Sequence, residues 1–378
     1  MRKIFFFLES LSGGGAEKVL SDIVCNLNSE KYDITVCTVV DGGIYQKKVE
    51  DSVKYKSFLK VADYKKGGWS KFLYCLKMKF VYVAPVKWVY RYFVREKYDI
   101  EIAFIEGYAT KFIASSKNSD SKKIAWIHSD LIKNPYTEKY YKSIKAEREN
   151  YKKFDKIECV SQNVKKAFEK KFSLTQNVQV QYNPVDSNAI KKYGKKNITI
   201  EINAGIKMVT VGRLEKQKGY IRLLECLGRL KEEGFKFSLW VIGEGSQRAV
   251  LENIIEKYQM KDYVQLIGFK TNPYKYVAKS DIFICPSYAE GFSTAATEAI
   301  ILGKPVFTTD CAGMKELFGE ECCGQIIPNT DNELYTMLKE LVSGQIKPEK
   351  FQEAVQKRSR TFDIKKRILE IEHLLDMV

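Results

Sequence analysis

Apolar residues arrive along the chain in short unbroken runs, one series before Pro184 and another after it. The first series reads KIFFFL, DITVCTVV, DIEIAFI, KKIAWIH, KIECVS and VQVQY, and the second KMVTVGRL, FSLWVIG, YVQLIGF, DIFICPS, KPVFTT and GQIIP. Continuous rather than alternating apolar positions mark strands covered on both faces, and the stretches between the runs have helical periodicity. This alternation predicts an α/β protein with two doubly wound, parallel-sheet domains side by side. The carboxyl ends of their strands would then border a cleft, the place where such sheets bind ligands. Between the two series lies a polar segment, 187–204, that contains KKYGKKN and has weak periodicity, so it is the natural linker between domains at 1–186 and 205–361. A last helix carries Ile364, Ile368, Ile371, Leu375 and Val378 at helical spacing, a stripe that needs a partner surface.

At 378 residues and 45% hydrophobic content, the chain has ample material for two cores. Nine cysteines, an odd number with no CxxC among them, point to buried reduced thiols in a cytosolic protein rather than to a disulfide framework or a zinc site. The N-terminal IFFFL runs straight into a glycine turn without a cleavage site, and reads as a first strand rather than a signal peptide. The most apolar long segment, FVYVAPVKWVYRYFV at 80–94, is broken by Pro85, Lys87 and Arg91 and predicts no membrane span.

Net charge is +16, and half of it lies between Lys60 and Lys97, where ten Lys or Arg face only Asp63 and Glu96. Ten aromatics share that window. Lys65, Lys66, Trp69, Lys71, Lys77, Lys79, Lys87, Trp88 and Arg91 therefore form a candidate surface for an anionic membrane or its lipid-linked substrates. The alternative is a solvated helix face with a buried aromatic side. Nucleic acid is disfavoured as a partner, because no helix-turn-helix, RNP motif or zinc finger accompanies the charge.

Four loops at strand ends carry candidate chemistry. Gly13, Gly14 and Gly15 follow the first strand and precede a helix, where bare backbone N–H groups can approach a phosphate, although a tight turn with no ligand would read the same way. The pattern fits neither GxGxxG nor a Walker motif. In VGRLEKQKGY, Arg213 and Lys218 emerge from a strand-to-helix turn and could hold a diphosphate, or be solvated cations. His128 in IAWIHSD is one of only two histidines and sits at a strand end, either to meet a sugar hydroxyl or as a structural group. The fourth loop, EGFSTAATE, sets Glu290 before a helix and Glu298 inside it. Eight positions at helical rise span at most about 12 Å. That is too far for an acid pair acting on one glycosidic bond, but suits two carboxylates taking hydroxyls at opposite ends of one ligand. Small residues between them would let that ligand's phosphates approach the helix N-terminus.

Together these elements resemble the retaining glycosyltransferases of family GT4, whose E-x7-E pattern is matched by Glu290 and Glu298 and whose G-R-L-x3-K-G element is matched by Gly212, Arg213, Leu214, Lys218 and Gly219. GGGAE and WIH resemble the family's donor-side loops, and YNPVD at 182–186 resembles its NGVD, so the likeness covers essentially the whole chain. Ser293 stands where the family commonly has Pro.

The resemblance implies a GT-B fold, two Rossmann-like domains facing a central cleft, with a C-terminal helix, 362–378, packing back on the first. It implies that Arg213 and Lys218 hold the diphosphate, Glu298 takes the ribose hydroxyls and Glu290 the donor sugar. Gly268 and Phe269 would border the base, while Gly212, Gly291, Phe292, Ser293 and Thr294 lie by the phosphates. Gly14, flanked by Gly13 and Gly15, would close on them, and His128 would stand beside the sugar.

The same resemblance implies a nucleotide-sugar donor, best a UDP-sugar, used as co-substrate with no cofactor. The acceptor would be a saccharide, lipid-linked, in bacterial capsule or other surface-polysaccharide synthesis at the inner face of the membrane. The chain contains no DxD pair for a divalent cation, so no metal is expected. The rival readings are another GT-B activity, such as a nucleotide-sugar epimerase or an inverting transferase, and a catalytically dead membrane-binding scaffold.

Overall fold

The computed structural model describes residues 1–198 and 205–378; residues 199–204, the end of the expected linker, lie outside the described residues. The chain divides into two units, Met1–Pro184 with Lys365–Val378, and Val185–Ile364.

The first unit is built on seven strands: β1 (Arg2–Leu8), β2 (Tyr32–Val40), β3 (Lys54–Leu59), β4 (Ile100–Ala103), β5 (Lys122–Ile127), β6 (Lys156–Cys159) and β7 (Val178–Val180). They form one parallel sheet in the order β3-β2-β1-β4-β5-β6-β7. Chain order reverses between β1 and β4, so the loops that follow these two strands open at the switch point of the sheet. In those loops lie Gly13–Gly15 and the segment from Phe104 to Gly107. Ile4 through Leu8 are all buried, as a strand covered on both faces requires. Edge strand β3, KYKSFL, is absent from the apolar series because its first residues alternate between exposed lysines and half-buried neighbours.

The helix Ile364–Met377 lays Ile368, Ile371, Leu374 and Leu375 into this unit. Polar contacts fix its register. The Asn28 amide donates to Glu372 at 2.8 Å and Tyr32 Oη to Asp376 at 2.7 Å. The Arg2 guanidinium donates to the carbonyls of Leu375 and Val378, capping the helix end with a cation.

In the second unit β8 (Ile206–Val211), β9 (Phe237–Ile242), β10 (Val264–Gly268), β11 (Ile282–Cys285), β12 (Val306–Thr309) and β13 (Gly324–Ile327) take the order β10-β9-β8-β11-β12-β13, again all parallel. The switch falls between β8 and β11, and these two strands lead into the GRL turn and the Pro286–Glu290 loop. One continuous apolar core joins the sheet to its helices.

The linker expected at 187–204 is corrected in its first half. Ser187–Gly194 is a helix, because Asp186 caps it through a bond from the Ala189 amide at 2.9 Å and Ile190 clusters with Val185 and Ile301. Lysines on its outer face masked that short apolar anchor.

Among the described residues all nine cysteines are free thiols; Cys37, Cys159, Cys226, Cys285, Cys311 and Cys323 are buried, whereas Cys75 and Cys322 are exposed. No helix among the described residues is long and apolar enough to cross a membrane.

Two strand positions of the first unit carry buried acids. Glu101 accepts from Tyr90 Oη at 2.8 Å and Ser116 Oγ at 3.0 Å. Glu158 faces Gln179 across the β6–β7 ladder and accepts from its side-chain amide at 2.7 Å. Burial pushes the Glu158 carboxyl up from 4.5 to about 7. The folded chain therefore holds a proton there that the unfolded chain has released, so the stability this acid lends is full below about pH 4.5 and lost as pH rises through about 7. Replacing Glu158 with Gln keeps the cross-strand bond without the charge. The melting temperature of E158Q relative to wild type is expected to rise between about pH 5 and about pH 8, measured by thermal denaturation; a difference independent of pH would refute the assignment.

Candidate functional site

The carboxyl edge of the second sheet is closed by loops in direct backbone contact. The Gly212 amide donates to the Ile242 carbonyl at 3.0 Å, the Leu214 amide to Glu244 at 2.9 Å and the Gly243 amide to Gly268 at 3.1 Å. This approach needs glycine at position 243, where φ is +150° and a Cβ would stand 1.9 Å from the Gly212 carbonyl oxygen. The result is a platform of main chain that carries the GRL turn, with Gly268 and a 41% exposed Phe269 at its outer side.

On this platform Lys218 and Glu290 meet. Lys218 ends the short 3-10 turn Lys216–Lys218, and its ammonium lies 2.7 Å from Glu290 Oε1. Both side chains are largely buried, at 18% and 9% exposure. Burial by itself would lower the Lys218 pKa, but the Glu290 carboxylate more than offsets it and the ammonium is held above its ordinary range. Ser287 Oγ donates to the same Glu290 oxygen at 2.6 Å, and the Cys285 thiol is 3.8 Å away. Arg213, on the preceding turn, is exposed.

The helix Thr294–Ile301 begins beside this cluster, with Ser293 as its cap: Ser293 Oγ accepts from the Ala296 amide at 3.3 Å. Glu298 sits one turn inside the helix, nearly buried, and accepts from Tyr274 Oη at 3.1 Å. Gly291 and Phe292 join Glu290 to the cap. The structure thus gathers Gly212, Lys218, Glu290, Gly291, Phe292, Ser293, Thr294 and Glu298 around one sheet edge, with a buried cation, a buried carboxylate and a helix N-terminus adjacent. An anionic ligand bearing hydroxyl groups suits that combination.

Sequence reading missed two supports of this arrangement, Ser287 and Gly243, and named Gly219 only as the last residue of the G-R-L-x3-K-G element. The signal for Gly243 is the GEG that follows β9, which puts glycine at a strand end as Gly212 does before Arg213.

In the first unit, Gly13 takes φ +119° and Gly14 caps the helix Gly15–Val24 in extended conformation. His128 follows β5, and its amide donates to Glu106 Oε2 at 2.8 Å; Glu106, buried in the turn after β4, is a residue the apolar pattern did not single out. Burial lowers the imidazole pKa to about 4 against a backbone hydrogen bond with Phe104 that raises it, so the ring is neutral at pH 7. Its Nε2 is enclosed and has no protein partner. A neutral imidazole with one uncommitted nitrogen can exchange a hydrogen bond with a hydroxyl.

The candidate basic surface occupies the helices Val61–Lys65, Gly68–Val83 and Val86–Phe93 of the same unit. A buried aromatic side describes only the last of them, where Val89 and Tyr90 are buried and Phe93 stacks on Phe58 at 3.9 Å. Helix Gly68–Val83 buries Val81 alone. Trp69 is 79% exposed and Trp88 66%, with Phe72, Leu73 and Leu76 about half exposed among Lys65, Lys66, Lys71, Lys77, Lys79, Lys87 and Arg91.

Two family models match, "Glycosyltransferase Family 4" over residues 13–189 and "Glycosyl transferases group 1" over 196–358. The chain is 25% identical over 374 residues, 96% of each protein, to a Campylobacter jejuni enzyme, N-acetylgalactosamine-N,N'-diacetylbacillosaminyl-diphospho-undecaprenol 4-alpha-N-acetylgalactosaminyltransferase. It is 31% identical over 134 residues, 33% of each protein, to the amylovoran biosynthesis glycosyltransferase AmsK of Erwinia amylovora. Its fold matches the crystal structure of Anabaena Alr3699/HepE in complex with UDP and glucose over 100% of both chains, with a TM-score of 0.74 and 20% identity.

With only two histidines in the chain, the imidazole state is directly readable. NMR titration of the ring Cε1 protons, assigned with H128Q, is expected to give His128 a midpoint near its value of about 4; a midpoint near the ordinary value of about 6.5 would overturn the buried neutral ring.

Proposed function

The chain belongs to glycosyltransferase family 4 and has its GT-B fold, and from that premise we propose that it is a retaining, metal-independent transferase that moves a sugar from a UDP-sugar to a lipid-linked saccharide in bacterial surface-polysaccharide synthesis. The observation that carries this reading is the Lys218–Glu290–Ser287 cluster at the carboxyl edge of the second sheet. A diphosphate needs cations and backbone donors; a sugar needs a fixed carboxylate, and both are supplied within one loop pair. UDP is the favoured nucleotide because the HepE structures hold UDP, UDP with glucose, and UDP-glucose. A lipid-linked acceptor is suggested by the name of the Campylobacter relative, whose acceptor is a saccharide on diphospho-undecaprenol.

In this reading Gly268 and Phe269 border the base, and Glu298 takes the ribose hydroxyls. Arg213 and Lys218 hold the diphosphate together with the capped helix at Ser293 and Thr294. Glu290 receives a donor-sugar hydroxyl. Glu290 is poorly suited to act as a nucleophile, since its Oε1 already accepts from Lys218 and Ser287. Front-face attack fits best. The acceptor oxygen bonds to the anomeric carbon as the bond from that carbon to the diphosphate breaks on the same face, and the acceptor's proton passes to the departing phosphate oxygen. Charge on that oxygen grows beside Lys218 and Arg213, which stabilise it without reorganising.

The exposed aromatic and lysine face of residues 65–91 supports docking on an anionic bilayer, with Trp69 and Trp88 entering the headgroup layer.

Two measurements test these proposals. Nucleotide release across UDP-, GDP- and TDP-sugars is expected to be highest with one UDP-sugar, to survive EDTA and to retain anomeric configuration. It should fall at least about a hundredfold in E290A and R213A that remain folded by circular dichroism; strict dependence on added metal, or full activity in both variants, refutes the site. The protein is also expected to sediment with phosphatidylglycerol vesicles at low salt and to stay in solution after charge reversal at Lys71, Lys77 and Lys79. Absence of wild-type sedimentation removes the docking proposal.

A further inference from the structure

Glu290 can serve a ligand only if its loop is held still, and the hold comes from a residue outside the motifs that carry the family resemblance. Arg222 lies on the helix Tyr220–Glu232 and is 2% exposed. Its guanidinium donates to the Pro286 carbonyl through Nε at 2.9 Å and Nη2 at 2.6 Å, and to the Ser287 carbonyl through Nη2 at 2.9 Å. Nη1 reaches the Asp331 carboxylate at 3.5 Å, and the guanidinium plane lies 3.8 Å from the Tyr288 ring centroid. A buried cation is costly. Here it is spent on the main chain of one loop rather than on a close ion pair.

Other donors converge on the same peptide. The Ser287 carbonyl also accepts from Thr309 Oγ1 at 2.6 Å, the Cys311 thiol at 3.0 Å and the Asn329 amide at 3.3 Å. The Tyr288 amide donates to the Gln217 carbonyl at 2.8 Å, tying the loop to the turn that carries Lys218. Gly219 lets the two approach: its φ is +68°, and a Cβ there would stand 2.0 Å from the Pro286 carbonyl oxygen and 2.9 Å from Arg222 Nε. The Ser287 hydroxyl then fills Glu290 Oε1 together with Lys218, so Oε2 is the oxygen left to receive a ligand.

We propose that Arg222 and Ser287 are positioning residues: Arg222 fixes the Pro286–Glu290 main chain, and the Ser287 hydroxyl sets which carboxylate oxygen of Glu290 is offered to the donor sugar. This rests on the reading that Glu290 touches the donor. A shift of about an ångström at a reacting centre lowers turnover by up to about a hundredfold while leaving remote binding groups in place. Lys218 is also held by its amide, which donates to the Glu215 carbonyl at 2.9 Å, and the helix start by the Ser293 cap, so nucleotide affinity falls less than turnover.

The experiment is steady-state kinetics with the best UDP-sugar and calorimetric binding of UDP, on S287A, S287T, R222M and R222K, with E290Q as the reference. S287A and R222M are expected to lose about tenfold to a hundredfold in kcat with UDP affinity within about threefold of wild type, and S287T to recover most of the loss. R222K, a point donor in place of a fork, recovers part of it. If S287A and R222M turn over like wild type, or lose kcat only in step with lost UDP affinity and folded fraction, positioning is refuted. Should R222M fail to fold, S287A and S287T decide alone. An active E290Q overturns the donor-site reading itself, a failure distinct from loss in E290Q with no effect in S287A.

Discussion

Lys218 and Glu290 can be buried only together. Removing either member of such a pair leaves a charge with neither water nor partner, a cost of about 3 to 5 kcal/mol in comparable cases. The whole carboxyl edge of the second sheet is arranged to bring those two charges within 2.7 Å from segments 72 residues apart. β8 and β11 are neighbours in the sheet, so the turn after one and the loop after the other start side by side. Gly219 and Gly243 then remove the side chains that would keep the loops apart. The pair is close to neutral as a unit, so in the proposed reading a diphosphate would meet a cation already oriented and a carboxylate already compensated.

That arrangement explains the division of labour between motifs and framework. The residues that would touch a ligand are few and polar, and they lie where a parallel sheet exposes its strand ends. The residues that hold them are main-chain carbonyls, glycines and the buried guanidinium of Arg222. Orientation in such a site is set by groups that never meet the substrate, which is why a buried cation is retained despite its desolvation cost.

Much of this was legible in the sequence because parallel strands, buried on both faces, are unbroken apolar runs. Twelve of the thirteen strands stand out as such runs. β3 does not, since an edge strand needs only one covered face and its lysines break the run. The helix Ser187–Gly194 was hidden for a similar reason: one buried Ile190 and a capping Asp186 anchor it, too little for a periodic pattern. Charged candidates such as Glu290 and Lys218 could be singled out by spacing. Their contact could not, because it depends on which strands are neighbours. Ser287 and Arg222 were less legible still, one a common residue in a loop and the other an arginine at a position that reads as solvated.

The chain's positive charge falls into two physically different classes. Lys218 is buried against its counter-ion, where added salt barely screens it. Lys65, Lys66, Lys71, Lys77, Lys79, Lys87 and Arg91 are exposed in a segment with few acids, so their field acts at a distance and collapses within about 8 Å at physiological salt. Exposed lysines alone would need no explanation in a basic protein. Trp69 and Trp88 change the argument, since two largely exposed indoles among apolar neighbours form the kind of patch that marks an interaction surface. A helix that buries one valine and displays tryptophan, phenylalanine and leucine among cations supports the proposed docking on an interface that is apolar within and anionic at its rim. In the proposed reading, a bilayer carrying a lipid-linked acceptor supplies that interface and would hold the acceptor's lipid and the basic face in the same plane.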